Sequence, residues 1–117
     1  MNRIMLKSKI HGATLTDKDL AYEGSITIDE DLLELADMLP GEQCHVLNLD
    51  NGNRMETYTI AGPRGSKCFT LNGPAARLGE IGDVVFVLTY ASYTDEEAKN
   101  HEPKVVLMDK NNNPKNL

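Results

Sequence analysis

The sequence lacks tryptophan, contains few aromatic residues, and shows neither a basic run nor a long hydrophobic stretch. Its formal net charge is -6, which argues against nucleic-acid binding, because that function needs a basic face. No stretch is long and apolar enough for a membrane span, and the N-terminus has no signal-peptide apolar segment. These absences predict a cytoplasmic protein that binds neither membranes nor nucleic acid.

Cysteine is also scarce, since only Cys44 and Cys68 are present, both in apolar, strand-like segments. This pattern is typical of two reduced, partly buried thiols in a cytosolic protein rather than of a disulfide framework. No spacing of Cys and His residues indicates a metal site. We therefore expect a protein without a bound metal.

What the sequence does contain is a series of short strand patterns. They cover residues 3–11, 25–28, 43–49, 53–61, 67–71, 84–91 and 104–108. Many short strands with few helices predict a mainly β fold, a small β-barrel. The length suits one domain, assigned to residues 1–108, and the tail at 109–117, rich in Asn and Lys, is expected to be disordered.

Helices and turns are predicted between these strands. Residues 29–39 form a helical pattern whose apolar face holds Leu32, Leu35, Ala36 and Leu39. Residues 94–97 form a capping box for a second short helix, and residues 73–77 are typical of one helical turn. Asn-Gly at 51–52 is the strongest hairpin signal, because both residues tolerate a positive φ, and turns are also expected at 63–66 and 82–83.

Lys9 and His11 are the first candidates for a binding site. Two residues apart in a strand, they share one face, while Ile4, Leu6 and Ile10 are predicted to point to the other. Such a cationic pair can bind an anion. The alternative is a solvated polar face on an edge strand, which these residues alone favour.

The strand after residue 52 carries a second set of candidates. Arg54 and Tyr58 share one face, and Thr57 takes the other. The planar guanidinium of Arg54 suits a carboxylate, and Tyr58 can donate a proton. The alternative is an exposed Arg with strand-forming Tyr and Thr. If Thr57 and Tyr58 serve one site, either the strand bulges or the two act at different moments or from different subunits.

Two dipeptides, Gly24-Ser25 and Gly65-Ser66, each place a serine hydroxyl next to a peptide carbonyl that it can attack. Each taken alone is typical of a turn. Asn72-Gly73, followed by a helical turn, can present backbone N–H groups to a carboxylate, and its alternative is again an ordinary turn.

In their order and spacing these pieces resemble the pyruvoyl-dependent aspartate 1-decarboxylase family, over about residues 5–106. The shared pattern comprises Met5-Leu6-x-x-Lys9-x-His11, Leu20-x-Tyr22-Glu23-Gly24-Ser25, Ile28-Asp29, Asn51-Gly52-x-Arg54 with Thr57-Tyr58, Arg64-Gly65-Ser66, Asn72-Gly73-x-Ala75-Ala76, Gly82-Asp83-x-Val85 and Asp95-Glu96-Glu97-Ala98. Each piece is weak, and the match is specific because all of them occur in order in one small chain.

The resemblance implies a double-psi β-barrel, assembled as a homotetramer with sites between adjacent subunits. It implies that the precursor cuts itself between Gly24 and Ser25, and that Ser25 becomes a covalent pyruvoyl cofactor. The cofactor would form a Schiff base with L-aspartate and release CO2 and beta-alanine, which supplies pantothenate and coenzyme A synthesis. Whether a maturation partner assists the cleavage is left open.

The same resemblance implies residue roles. Thr57 is expected to stabilise the oxyanion during cleavage, and Tyr58 to return a proton to the substrate. The residues expected to bind L-aspartate are Lys9, His11, Tyr22, Arg54, Asn72, Gly73, Pro74 and Ala75.

Three positions depart from the family pattern. Pro74 stands where Ala is common and removes one backbone donor. Leu47 replaces an aromatic residue of some members, and Gly12 replaces a frequent Arg. An alternative from another class is a non-enzymatic small β-barrel that serves recognition or regulation. Such a module would not need Gly24-Ser25, Thr57 and Tyr58 together.

Overall fold

The computed structural model describes residues 1–116, which form one eight-stranded mixed β-sheet with short helices. The strands are β1 (Asn2–Thr14), β2 (Asp17–Asp19), β3 (Ser25–Asp29), β4 (Gln43–Asn48), β5 (Arg54–Gly62), β6 (Phe69–Asn72), β7 (Val84–Thr94) and β8 (Lys104–Leu107). Helices α1 (Glu30–Leu35) and α2 (Asp95–Asn100) and a 3-10 turn (Gly73–Leu78) lie between them. The predicted mainly β class with a few short helices is confirmed.

The sheet closes on itself through the first segment of the chain. Its strand order is β2-β6-β3-β5-β4-β7-β1-β8, with β1 and β2 near opposite ends. These two strands are separated only by Leu15 and Thr16, whose backbone N–H groups donate to the carbonyls of Asp83 and Phe69, both at 2.9 Å. The sheet must therefore curve until its ends meet, which makes a small barrel.

The barrel interior is filled by alternate residues of the strands. In β7, Val85, Val87 and Thr89 are fully buried, and in β1 Ser8 and Ile10 are fully buried. The hydroxyls of Ser8 and Thr89 hydrogen-bond to each other, which satisfies both polar groups inside the barrel. The remaining members of the core are Ala13, Leu15, Ile26, Ile28, Leu32, Leu33, Ala36, Met38, Cys44, Val46, Met55, Phe69, Leu71, Ala75, Ala76, Val106 and Met108.

A bulge in β1 overturns one prediction about its faces. The pairing of β1 with β7 shifts register just after Leu6, so one extra residue is inserted there. Since side chains alternate, an inserted residue exchanges the faces of everything before it. Ile4 and Leu6 therefore share the outer face with Lys9 and His11, and only Ile10 points inward as predicted. Ile4 is accordingly 78% exposed.

The β4–β5 hairpin forms as predicted, but with a different turn. Its strands end at Asn48 and resume at Arg54, and the Asn48 N–H donates to the carbonyl of Asn53 at 2.8 Å. Within the Asn-Gly pair only Gly52 has a positive φ, of 76°. The connection is longer than a two-residue turn because the side chain of Asn48 binds the loop backbone from inside.

Helix α1 is shorter than its sequence pattern predicts. Asp29 caps its N-terminus, and the helix ends at Leu35 because Asp37 takes a left-handed φ of 57°. Leu39 lies beyond that end and is 72% exposed, so its predicted place on the apolar face is wrong. Leu33, which is not among the residues of the predicted face, is fully buried.

The other local predictions are confirmed. Thr94 and Glu97 form the capping box of α2, with the Glu97 N–H donating to Thr94 Oγ1 at 3.1 Å. The turns at 63–66 and 82–83 form, with positive φ at Gly65 and Gly82. Each predicted strand region contains a strand, whereas the short β2 was not predicted.

Residues 109–116 of the C-terminal tail lie against the barrel, and Leu117 lies outside the described residues. The side chain of Asn112 is buried and anchors the tail. Its amide oxygen accepts the Thr14 N–H at 2.7 Å, and its Nδ2 donates to the carbonyls of Thr14 and Lys67, both at 2.9 Å. A polar composition predicted disorder, but these asparagines hydrogen-bond to the barrel. Within residues 1–116 no helix is long and apolar enough to cross a membrane.

Candidate active site

The hydroxyl of Ser25 is held inside the protein at the start of β3. Ser25 is fully buried, and its Oγ donates to the carbonyl of Glu23 at 3.1 Å. Because Ser25 pairs with Asn72 across β3 and β6, the Asn72 Nδ2 reaches Ser25 Oγ at 3.0 Å. The same nitrogen donates to Thr27 Oγ1 at 2.8 Å, which fixes the amide. The serine oxygen is therefore oriented and shielded from water next to the Gly24–Ser25 peptide.

Gly73 makes room for the segment that precedes Ser25. It has a left-handed φ of 58°, and a Cβ there would lie 2.5 Å from the Tyr22 carbonyl oxygen and 2.8 Å from the Gly24 nitrogen. Only glycine fits such a backbone approach. Gly24, in contrast, lies outside the left-handed region, and a Cβ on it would meet Pro74 Cδ at an ordinary 3.4 Å.

Gly24 opens into a cavity of about 290 Å³ between β5 and the 3-10 turn. We call it the Gly24 cavity; it is lined by Gly24, Met55, Glu56, Thr57, Pro74, Ala75 and Leu78. Four of the predicted site residues thus meet here. Pro74, at the start of the 3-10 turn, has no N–H to offer, and its ring contacts the Gly24 side of the cavity.

Lys9, His11 and Arg54 belong to a separate, outer surface. His11, Phe86, Leu47 and Arg54 are successive partners across β1, β7, β4 and β5, and we call this line of residues the outer row. The His11 ring stacks on Phe86 at 4.3 Å, and Lys9 Nζ lies 5.5 Å from the centre of the same ring. The three cationic candidates therefore share one face of the sheet, as an anion-binding surface requires.

The charge of His11 depends on this setting. Partial burial lowers the pKa of its imidazole, and the positive charges of Lys9 and Lys115 lower it further. Lys115 belongs to this neighbourhood because its N–H donates to the Leu107 carbonyl at 2.7 Å, and Leu107 is the β8 partner of His11. His11 is therefore mainly neutral at neutral pH.

Strand β5 separates Thr57 from Tyr58. Its pairings with β3 and β4 run without a register shift, so the bulge considered from the sequence is not formed. Thr57 lines the Gly24 cavity, while Tyr58 lies in an open depression with Gly41 and Gln43. Thr57 borders both spaces. The pairing of Ile26 with Thr59 places Ser25 level with Tyr58, and the alternation of side chains puts both on the same face of the sheet. Arg54 lies four positions earlier in β5, so within one chain the predicted residues form two groups that are apart along this strand.

Tyr22 and Asn72 lie in a further shallow depression at the end of β3 and β6. The side chain of Tyr22 is half exposed, whereas that of Asn72 is buried. The Tyr22 carbonyl lies against Gly73, so Tyr22 is tied to the cleavage segment through its backbone.

Several residues of the site were not predicted. Phe86 packs against Lys9 and His11, Thr27 orients Asn72, and the carbonyl of Glu23 accepts the Ser25 hydroxyl. Alternation in residues 84–91 does place Phe86 outward. Its contact with His11 depends on strand register, which residues 75 positions apart in the sequence do not reveal.

Cys44 contributes no reactive thiolate to these groups. Cys44 and Cys68 are free thiols, and burial raises the pKa of Cys44 to about 12. In the part of the chain that the structure describes, no cluster of three or more His, Cys, Asp or Glu residues is arranged to hold a metal ion.

Comparison with known proteins gives one consistent result. The model of the aspartate decarboxylase family matches residues 1–115. The aspartate 1-decarboxylase of Thermoanaerobacter pseudethanolicus is 55% identical over 117 residues and covers 100% of both chains. That of Syntrophobacter fumaroxidans is 56% identical over 97% of this chain and 92% of its own, and that of Staphylococcus aureus 54% over 96% and 88%.

Among solved structures, the computationally designed msDPBB_sym2 protein is similar with a TM-score of 0.48. Its sequence is 18% identical, and the match covers 74% of this chain and 96% of that one. A likeness of that degree does not define the topology, which rests on the strand pairings described above.

Proposed function

This chain belongs to the aspartate decarboxylase family, and we propose that it cuts itself between Gly24 and Ser25 and then converts L-aspartate to beta-alanine and CO2. The observation that carries the proposal is the buried Ser25 hydroxyl, held by Asn72 at 3.0 Å beside a backbone segment that packs on Gly73. A turn without chemistry would not need a desolvated and doubly hydrogen-bonded serine oxygen. We place this activity in the cytoplasm, in the supply of beta-alanine for pantothenate synthesis.

Cleavage begins when Ser25 Oγ attacks the carbonyl carbon of Gly24. The new C–O bond replaces the Gly24–Ser25 peptide bond, and the hydroxyl proton goes to the released nitrogen. Thr57, which lines the Gly24 cavity, would donate to the oxyanion that develops on the Gly24 carbonyl. Loss of the Gly24 carboxylate by elimination, followed by hydrolysis and release of ammonia, leaves a ketone at residue 25.

The surroundings of Ser25 fit the pyruvoyl group that these reaction steps would produce. Asn72 Nδ2 and the cavity beside Gly24 remain in place around the position of the serine oxygen. The group supplies an electron sink for the loss of the α-carboxylate. The proposed cofactor is therefore made from the chain itself.

The outer group of residues would bind the substrate and move its proton. Arg54 offers a planar pair of donors to a carboxylate, and Lys9, three strands away on the same face, adds a second positive charge. The Tyr58 hydroxyl would return a proton to the substrate after decarboxylation. Tyr22, His11, Asn72 and the Gly73–Ala75 backbone complete the proposed pocket.

Ser25 is level with Tyr58 in the middle of β5, whereas Arg54 lies at the start of this strand, about 13 Å away, so one chain does not bring Ser25 and Arg54 together. We propose that a homotetramer does so, with each site made where the Gly24 cavity of one subunit meets the outer row of its neighbour.

Intact mass of the purified, denatured protein tests the proposal. The wild-type chain is expected to yield a fragment of residues 1–24 and a larger fragment that begins with the pyruvoyl group. Ser25→Ala should stay whole and release no CO2 from L-aspartate. Ser66→Ala is the matched control, because it alters the second Gly-Ser dipeptide and should cleave normally. A wild-type chain that stays whole after prolonged warming would contradict unaided cleavage and favour a recognition module or an assisted maturation.

A further inference from the structure

Three asparagine side chains converge on the carbonyl of Leu78. The Nδ2 atoms of Asn48, Asn51 and Asn53 lie 3.4, 3.0 and 3.2 Å from this oxygen. Leu78 is the last residue of the 3-10 turn, where backbone carbonyls have no partner within the helix. The β4–β5 connection thus binds the end of that turn from outside, and we call the three residues the asparagine clasp.

Asn48 sets the geometry of the clasp. Asn48 is buried, with an exposure of 3%. Its Oδ1 accepts the N–H groups of Asp50 at 2.9 Å and Asn51 at 3.3 Å. Its Nδ2 also donates to Asp83 Oδ2 at 2.9 Å. Asn51 Oδ1 accepts the Asn53 N–H at 2.8 Å. The amides of Asn48 and Asn51 are therefore oriented by their oxygens, which directs their NH2 groups at Leu78.

The segment that the clasp holds also forms the wall of the cleavage site. The 3-10 turn begins at Gly73, whose backbone lies against Tyr22 and Gly24, and its last residue Leu78 lines the Gly24 cavity. The following residue, Gly79, is packed so closely that a Cβ would lie 3.1 Å from Asn48 Nδ2. The turn is thus fixed at its C-terminal end by the clasp and contacts the cleavage segment at its N-terminal end.

We propose that Asn51 and Asn53, together with the buried Asn48, are positioning residues for the self-cleavage at Gly24–Ser25. They hold the 3-10 turn against the cleavage segment and so keep the Gly24 carbonyl within reach of the Ser25 hydroxyl. This inference rests on the proposed function, since it assigns these amides a task in the same reaction. None of them touches the reacting atoms.

The test is the rate of cleavage in the Asn51→Ala/Asn53→Ala double variant, followed by intact mass in rapidly purified, full-length precursor. The variant loses two hydrogen bonds to Leu78 and the one from the Asn53 N–H to Asn51 Oδ1, which lets the turn move, and a small displacement of the attacked carbonyl is costly in rate. We expect cleavage to slow by about tenfold or more. The single variant Asn53→Gln retains an amide donor at this position and is expected to cleave at close to the wild-type rate.

Asn112→Ala is the matched control. It removes a buried asparagine with three hydrogen bonds on the tail, away from the 3-10 turn, so it should lower the melting temperature but cleave at the wild-type rate. The positioning role would be overturned if the double variant cleaved as fast as wild type. It would also be overturned if Asn112→Ala slowed cleavage by the same factor as the double variant at the same loss of stability. If the double variant does not fold, Asn51→Ala alone, at an exposed position, decides the question by the same criterion. A wild-type chain that never cleaves would instead refute the proposed function and this role with it.

Discussion

At the scale of single residues, Gly73 shows how an absent side chain shapes the site. Its φ is left-handed, and the backbone of the cleavage segment occupies the place of a Cβ. We expect Gly73→Ala to displace residues 22–24 and to reduce cleavage below detection over the time in which wild type completes it. Intact mass measures the outcome.

Gly65→Ala is the matched control for that substitution. Gly65 also has a positive φ, of 79°, but nothing lies within 4 Å of its missing Cβ. Both variants bear the backbone strain of a left-handed alanine, about 1–2 kcal/mol, and only Gly73→Ala adds a collision. Equal loss of cleavage in the two would show that strain alone is responsible.

Tyr58 differs from Thr57 in when it is expected to act. Because Tyr58 faces away from the Gly24 cavity, Tyr58→Phe should leave cleavage intact. It should lower CO2 and beta-alanine production by about 10²–10⁴-fold, the usual contribution of a positioned proton donor. Mass and steady-state turnover are measured on the same preparation. A variant that loses cleavage and turnover in equal measure would contradict the proton-donor role.

His11 gives a pH dependence with a definite sign. Burial, Lys9 and Lys115 lower the pKa of His11 below 6.5, so the unfolded chain takes up this proton at a higher pH than the folded chain does. The contribution that neutral His11 makes to the folding stability is fully present above pH 6.5 and is lost as the pH falls from 6.5 towards the folded-state pKa. We expect melting temperatures measured across this range to fall by a few degrees at most in wild type, and by less in His11→Gln.

At the scale of elements, the tail and strand β1 depart most from the sequence patterns. Composition alone made residues 109–117 a candidate for disorder, yet Asn112 supplies both a donor and an acceptor to the barrel edge. In β1, strict alternation correctly placed Lys9 and His11 on one face. It assigned Ile4 and Leu6 to the wrong face because it did not allow for the bulge. A bulge depends on the partner strand, and residues 3–11 do not encode it locally.

The tail provides a stability prediction. Asn112→Ala removes three hydrogen bonds and leaves the Thr14 N–H without its partner, so unfolding free energy should fall by about 1–3 kcal/mol. Denaturant unfolding of the variant against wild type measures this. Asn111→Ala alters the exposed neighbour and should change stability little; a similar loss in both would argue against a structural role for the Asn112 side chain.

At the scale of the whole molecule, the separation of the predicted residues along and across the sheet is the central finding. Ser25 and Asn72 meet where β3 begins and β6 ends, whereas Arg54 lies at the start of β5 and Lys9 and His11 lie in β1. A single barrel therefore does not bring all of them to one substrate. The arrangement favours a site completed by a second copy of the chain.

Subunit complementation tests this. The Ser25→Ala chain lacks the cofactor precursor, and the Arg54→Ala chain lacks the carboxylate ligand, so each alone should be nearly inactive. Coexpressed, they are expected to recover about a quarter of the wild-type activity, because random assembly joins an intact Ser25 to an intact Arg54 at one site in four. No recovery in mixed oligomers, verified by mass, would place the whole site within one chain.

Local patterns in the chain were sufficient for the mainly β class, the strand regions, the capping box of α2 and the glycine turns, because alternation, capping and positive φ act over a few neighbouring residues. The ordered motifs from residue 5 to residue 106 were likewise sufficient for the family. Only the tertiary structure decided the bulge of β1, the early end of α1, the anchoring of the tail, the asparagine clasp and the separation of the site residues along β5. Each of these depends on contacts between residues far apart in the chain, whose register no local pattern records.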